Sequence, residues 1–203
     1  MMQLIETMSF MRVEARLATM SRVRFAFLYR IYADADNGAD ASPRVTGYTE
    51  HASADATGRI VRLPERFVSA FAPTGDKVDD TVVEGPGTIR WTHDLRVRYE
   101  ETDAFGVAYN GNYFAWMEAA WSERLMGGPW DIAESIRDGR AFAVTEADCR
   151  YVSPVTYDEP LRVEIGCAPV GRTRVRLDYR MVQPEADAVV AYGRTVHAVT
   201  RDG

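Results

Sequence analysis

The chain has 203 residues, 46% hydrophobic and 27% charged, the composition of an ordinary globular protein of one large domain or two small ones. A formal net charge of −6 argues against partners such as nucleic acid or an anionic membrane surface, but leaves room for a small anionic ligand held by local arginines. No apolar run approaches a membrane span, and Met1–Phe10 contains Glu6 without a basic leading region, so no secretory signal is read and the cytoplasm is the default location.

In chain order, Arg12–Ile31 reads as antiparallel strands. Its second half, Arg22–Ile31, alternates polar and apolar residues, although Phe25, Ala26, Phe27 and Leu28 make it rather apolar. A hairpin loop near Ala33–Pro43 and a strand over Val45–Ala56 follow. Ala72–Gly87 carries turn formers and acidic residues and reads as a linker. Residues 111–126 then give the clearest helical pattern. Phe114, Met117, Trp121 and Leu125 recur at three- and four-residue spacing, with Glu118, Glu123 and Arg124 off that stripe and Gly127-Gly128-Pro129 as the stop. A shorter helix is predicted over Trp130–Arg137, closed by Gly139. Strands follow at Phe142–Tyr151, Leu161–Ala168 and Thr173–Met181, the last with strict alternation. Cys149 and Cys167 sit in apolar stretches without C-x-x-C spacing and read as buried free thiols.

Comparing the chain with itself adds a second layer. Arg12, Val13, Glu14, Ala18, Arg22, Arg24, Tyr29 and Arg30 have identical partners 150 positions later, in residues 162–181. Gly47, Thr49, His51 and Ala52 have theirs 146 positions later, in residues 193–198. The slip between the two offsets falls at the hairpin loop, Ala33–Pro43 against Gln183–Asp187. This is the pattern of a duplication. The first copy lacks the counterpart of Val82–Leu161, so residues 1–75 are expected to form a partial repeat of strands only, 76–92 a linker, and 93–203 a complete domain with one long helix.

The densest run of chemistry-bearing residues lies from Val97 to Glu118. It holds Asp103 and Gly106 as D-x-x-G, then Tyr109, Asn112 with Tyr113, and Trp116 with Glu118. This stretch resembles the signature of the hotdog-fold 4-hydroxybenzoyl-CoA and YbgC-type acyl-CoA thioesterases. The resemblance implies an α+β hotdog fold, an antiparallel sheet wrapped around one helix, over residues 93–203, preceded by a partial hotdog repeat. It implies hydrolysis of an acyl thioester of coenzyme A or an acyl-carrier protein without metal or other cofactor, coenzyme A or phosphopantetheine being part of the substrate. Asp103 is the catalytic carboxylate it implies, with the oxyanion donor at the backbone near Asn110 and Gly111. Tyr99, Thr102, Gly106, Tyr109, Asn112 and Glu118 are expected to line the substrate site. Family sites lie between two hotdog units, which implies a homo-oligomer.

The chemistry supports the same assignment. Attack on a thioester carbonyl needs a base or nucleophile and a donor for the oxyanion. A carboxylate ahead of a helix supplies the first, and the helix N-terminus, whose first N–H groups lack intrahelical partners, supplies the second. Seven residues separate Asp103 from Asn110. An isolated D-x-x-G, by contrast, is ordinarily a loop or capping aspartate, and Glu118 also fits a solvated helix position. Many YbgC-like members have a histidine where this chain has Asn110, and an amide cannot carry protons near neutral pH.

His51 and His197 read as strand residues and His93 as preceding the first strand of its domain. The chain has no H-x-x-x-H, cysteine cluster, P-loop or G-x-G-x-x-G, so metal and nucleotide chemistries are not indicated. A non-catalytic thioester-binding or assembly protein is the alternative, and a hotdog dehydratase is weaker for want of a placed histidine. Phe25, Phe27 and Leu28 would leave an apolar face on the helix-less first copy, so cover is expected from sheet extension within the chain and from a second copy.

Overall fold

The computed structural model describes residues 11–33, 42–55, 57–78, 83–126 and 131–201. The leading segment Met1–Phe10, most of the first hairpin loop, Ala56, and the stop Gly127-Gly128-Pro129 with Trp130 lie outside the described residues. The chain divides into two compact units, Met1–Thr81 and Val82–Gly203.

Three antiparallel strands, β1 (Met11–Met20), β2 (Arg24–Ala33) and β3 (Val45–Ala52), make the sheet of the first unit in the order β1-β2-β3. Alternation puts Phe25 and Phe27 on one face of β2 and Leu28 on the other. The expectation of strands alone is corrected by a short helix, α1 (Glu65–Ala70), which follows Pro64. Its Phe67 ring lies 4.8 Å from that of Phe25 and 4.9 Å from that of Phe71. A six-residue helix is too short to show a periodic stripe in sequence, and the aromatic contacts hold it on the sheet.

The second unit runs β4 (Trp91–Arg96), a 3-10 turn at Tyr99–Glu101, α2 (Asn112–Leu125), α3 (Ile132–Arg137), β5 (Arg140–Tyr151), β6 (Pro160–Val170), β7 (Arg174–Gln183) and β8 (Ala188–Arg201). Its five strands pair antiparallel in the order β4-β6-β7-β8-β5. Within each unit the strands pair into a sheet of their own. Residues 83–90, inside the expected linker, pack on the second unit. Val83 is buried, Arg90 donates its N–H to the Ile165 carbonyl, and a Cβ at Gly166 would meet the Pro86 Cβ at 2.5 Å.

One long helix against this sheet is the hotdog arrangement. Tyr113, Trp116, Met117, Ala120 and Trp121 form the buried face of α2 and share a core with Leu161, Val163, Ile165, Leu177, Tyr179 and Met181. Of the expected Phe114–Met117–Trp121–Leu125 line, Met117 and Trp121 are buried and Leu125 packs against the core, whereas Phe114 is 37% exposed and Tyr113 and Trp116 turn inward beside them. Small Ala120 is part of the buried face, which a search for large side chains passes over. Close approach is built in at Gly193 on β8, where a Cβ would lie 2.2 Å from the Met117 Sδ. Two further expectations change. His93 lies within β4 and pairs with the Glu123 carboxylate rather than preceding the strand. Cys167 is an exposed free thiol, because β6 runs on past Ile165, the last residue paired by β4; Cys149 is part-buried. Among the described residues no helix is long and apolar enough to cross a membrane.

Candidate active site

The segment between β4 and α2 is a tightly bonded loop. Val97 is buried and exchanges backbone hydrogen bonds with the 158–159 segment, so the chain leaves the sheet from a fixed point. The 3-10 turn follows, and the Thr102 hydroxyl after it donates back to the carbonyl of its first residue, Tyr99, at 2.8 Å. Asp103 then opens a tight turn. Its N–H donates to the Val107 carbonyl, its carbonyl accepts from the Gly106 N–H, and its Oδ1 accepts the Phe105 N–H at 2.8 Å. Gly106 takes φ of +74°, a left-handed conformation that glycine adopts without strain. Asp103 therefore does cap its own turn, with Oδ1; its Oδ2 has no hydrogen bond among the described residues.

Glu101, which the sequence did not single out, ties this loop to the helix. Its side chain is buried and accepts from the Arg98 N–H at 2.7 Å, the Arg98 guanidinium at 3.0 Å and the Trp116 indole Nε1 at 3.0 Å. Its carbonyl accepts the Tyr109 N–H at 2.8 Å and the Asn112 side-chain amide at 2.6 Å. Asn112 thus holds the loop rather than presenting its amide to solvent. Burial works to raise the Glu101 pKa. The Arg98 N–H, the Trp116 indole and the Arg98 guanidinium outweigh it and hold the carboxyl below its ordinary value. Two adjacent glutamates at 100 and 101 gave no sign of which would turn inward.

At the helix start, Gly111 is the N-cap and no side chain caps it. A Cβ on Gly111 would meet the Tyr109 ring at 2.7 Å, so the close approach that glycine allows is taken by the chain's own tyrosine. Asn110 is exposed, and its carbonyl accepts the Tyr151 hydroxyl at 2.9 Å, which ties the helix start to β5. Behind it, burial pushes the Tyr113 phenol and the Cys149 thiol each up to about 12, and the Tyr151 phenol also upward. A thiol with that pKa stays protonated near neutral pH and offers no thiolate nucleophile.

The expected site residues therefore divide. Asp103, Thr102, Gly106, Tyr109, Asn110, Gly111 and Asn112 come together in one loop and helix start. Glu118 lies exposed in the second turn of α2; burial pushes the Tyr179 phenol upward, and the Glu118 charge adds to that shift. Tyr99 is 77% exposed and packs edge-on against Tyr157. Around the Asp103 turn the surface is apolar: Phe105 is 90% exposed and Tyr109 56%. The 151–157 loop adds exposed Tyr151, Val152 and Tyr157, joined to this segment by the Val107–Thr156 bridge.

Comparison with known proteins bears on the family and the fold. The family model described as Thioesterase superfamily matches residues 105–190, starting two residues after Asp103. A putative esterase of Aquifex aeolicus is 28% identical over 108 residues, covering 53% of this chain and 83% of that protein. The acyl-CoA thioester hydrolase YbgC of Escherichia coli O157:H7 is 30% identical over 96 residues, 47% of this chain and 70% of the relative. The crystal structure of Slr0204, a 1,4-dihydroxy-2-naphthoyl-CoA thioesterase from Synechocystis, superposes with a TM-score of 0.52 at 22% identity, over 54% of this chain and 81% of that one, and shows the shared fold. With its helix-and-sheet core and this relative at 30% identity, the chain belongs to the thioesterase superfamily.

Proposed function

We propose that the second unit hydrolyses an acyl thioester of coenzyme A, with Asp103 activating water or attacking the carbonyl carbon. The observation that carries this is the bonding of the loop. Glu101 fastens the Asp103 turn and the start of α2 into one piece, so the carboxylate and the first helical N–H groups are held together. With Oδ1 engaged by the Phe105 N–H, Oδ2 is the oxygen that acts on substrate or water. The N–H groups near Asn110 and Gly111, at the positive end of α2, receive the oxyanion. No cofactor enters this scheme beyond the coenzyme A, or phosphopantetheine of an acyl-carrier protein, that the substrate brings.

The exposed Phe105, Tyr109, Tyr151 and Tyr157 support a site completed by a second copy, which would cover them and wall the acyl group. A homo-oligomer is therefore part of the proposal. A second reading, binding of the thioester without turnover, is favoured by the capping use of Asp103 Oδ1 and by Asn110 in place of a proton carrier. Thiol release from a panel of acyl-CoAs and acyl-carrier proteins separates the two. Turnover by the wild type, with Asp103→Asn lowering kcat by at least about 10²-fold at an unchanged melting temperature, supports hydrolysis. Saturable binding without thiol release supports the second reading.

A further inference from the structure

The sheet of the first unit repeats three strands of the second in register as well as in sequence. Glu14 stands opposite Arg30 as Glu164 does opposite Arg180, and Tyr29 opposite Gly47 as Tyr179 does opposite Gly193. Even a side-chain chain recurs. The Tyr29 hydroxyl lies 3.2 Å from the Thr49 Oγ1, which lies 2.9 Å from the His51 Nε2. The same three groups in the second unit, Tyr179, Thr195 and His197, stand 3.1 and 2.9 Å apart.

What covers them differs. In the second unit α2 lies over this face, with the Trp121 ring 5.4 Å from His197 and Met117 seated on Gly193. Leu161, Val163 and Ala191 there are fully buried. Their counterparts in the first unit are Met11, Val13 and Val45, which are 71%, 58% and 54% exposed. A Cβ on Gly47 would meet nothing within 4 Å. The ring contacts of α1 reach the Phe25 end of the face, and none of its own residues is buried.

We propose that the face of the first sheet carrying Met11, Val13, Tyr29, Val45, Gly47 and Thr49 is a docking surface for an amphipathic helix of the α2 type. A partner polypeptide brings that helix and seats a Met-sized apolar side chain on Gly47. The partner's chemistry follows from the repeated face: a stripe of aromatic, Met and Ala residues at the spacing of Tyr113, Trp116, Met117, Ala120 and Trp121. A second copy of this chain does not meet the need. Each copy presents two faces of this pattern, and among the described residues only α2 exceeds six residues and it already packs in the second unit.

The test uses the full chain and a fluorescein-labelled peptide of residues 109–126, followed by fluorescence anisotropy. Saturable binding is expected. Gly47→Val, which places a β-favouring side chain in open space, should leave the chain as stable as wild type yet weaken binding at least about tenfold. Thr46→Val, on the opposite face beside Arg30, should change affinity less than about twofold. No binding to wild type overturns the proposal, as does equal binding to Gly47→Val, which would mark exchange of the peptide into the second unit. A lowered melting temperature for Gly47→Val without peptide would show the face already covered, by this chain or by a second copy as judged by light scattering, and would overturn it too.

Discussion

Removing the Glu101 carboxylate should cost the second unit more than any exposed acidic substitution. In Glu101→Ala the buried Trp116 indole loses its acceptor, a loss of roughly 1–3 kcal/mol. The Arg98 N–H loses a charge-assisted bond, while the largely exposed Arg98 guanidinium contributes little. The sum is about 3 kcal/mol. Glu101→Gln keeps an acceptor for Trp116 and loses only the charge, so about 1 kcal/mol is expected. The folded pKa of Glu101 is depressed, so its contribution is present above the unfolded value near 4.5 and is lost as pH falls through the folded one. Glu101→Gln should therefore narrow the gap to wild type under acid conditions. Urea unfolding at pH 7 and pH 4, followed by tryptophan fluorescence, measures both quantities. A Glu101→Ala cost below about 0.5 kcal/mol, or equal costs for the two variants, would refute the hydrogen-bond reasoning.

Gly193→Ala should destabilise by about 1–3 kcal/mol, because its Cβ would stand 2.2 Å from the Met117 Sδ, whereas Gly47→Ala should be neutral or stabilising in thermal melts. Burial lowers the His197 pKa, so stability is complete above about pH 6.5 and declines below it as the unfolded chain takes up a proton. His197→Gln should flatten the denaturation midpoint between pH 6.5 and the lower folded value. Asn110→Ala should cost less than the roughly 10²–10³-fold of a lost oxyanion donor, since the backbone holds that position through Tyr151; a larger loss in thiol release would make the amide a participant.

Much of this molecule is written in local periodicity. Alternation in Thr173–Met181 specifies a strand, and the identities at offsets of 150 and 146 reappear as matching registers, because side-chain alternation fixes which residues stand opposite one another. The spacing from Asp103 to Glu118 identified the family and the loop that joins strand to helix, since chain connectivity alone keeps those residues together. Tertiary packing decided the rest. Whether Glu100 or Glu101 turns inward depends on the phase of a single 3-10 turn against Trp116, and whether Tyr113 or Phe114 faces the core depends on how the first turn of α2 is set against the sheet. Sequence likewise made the two Tyr–Thr–His sets alike. Only the packed structure placed one beneath a helix and left the Gly47 beside the other without a neighbour among the described residues, because cover comes from elements distant in the chain, which strand periodicity does not encode.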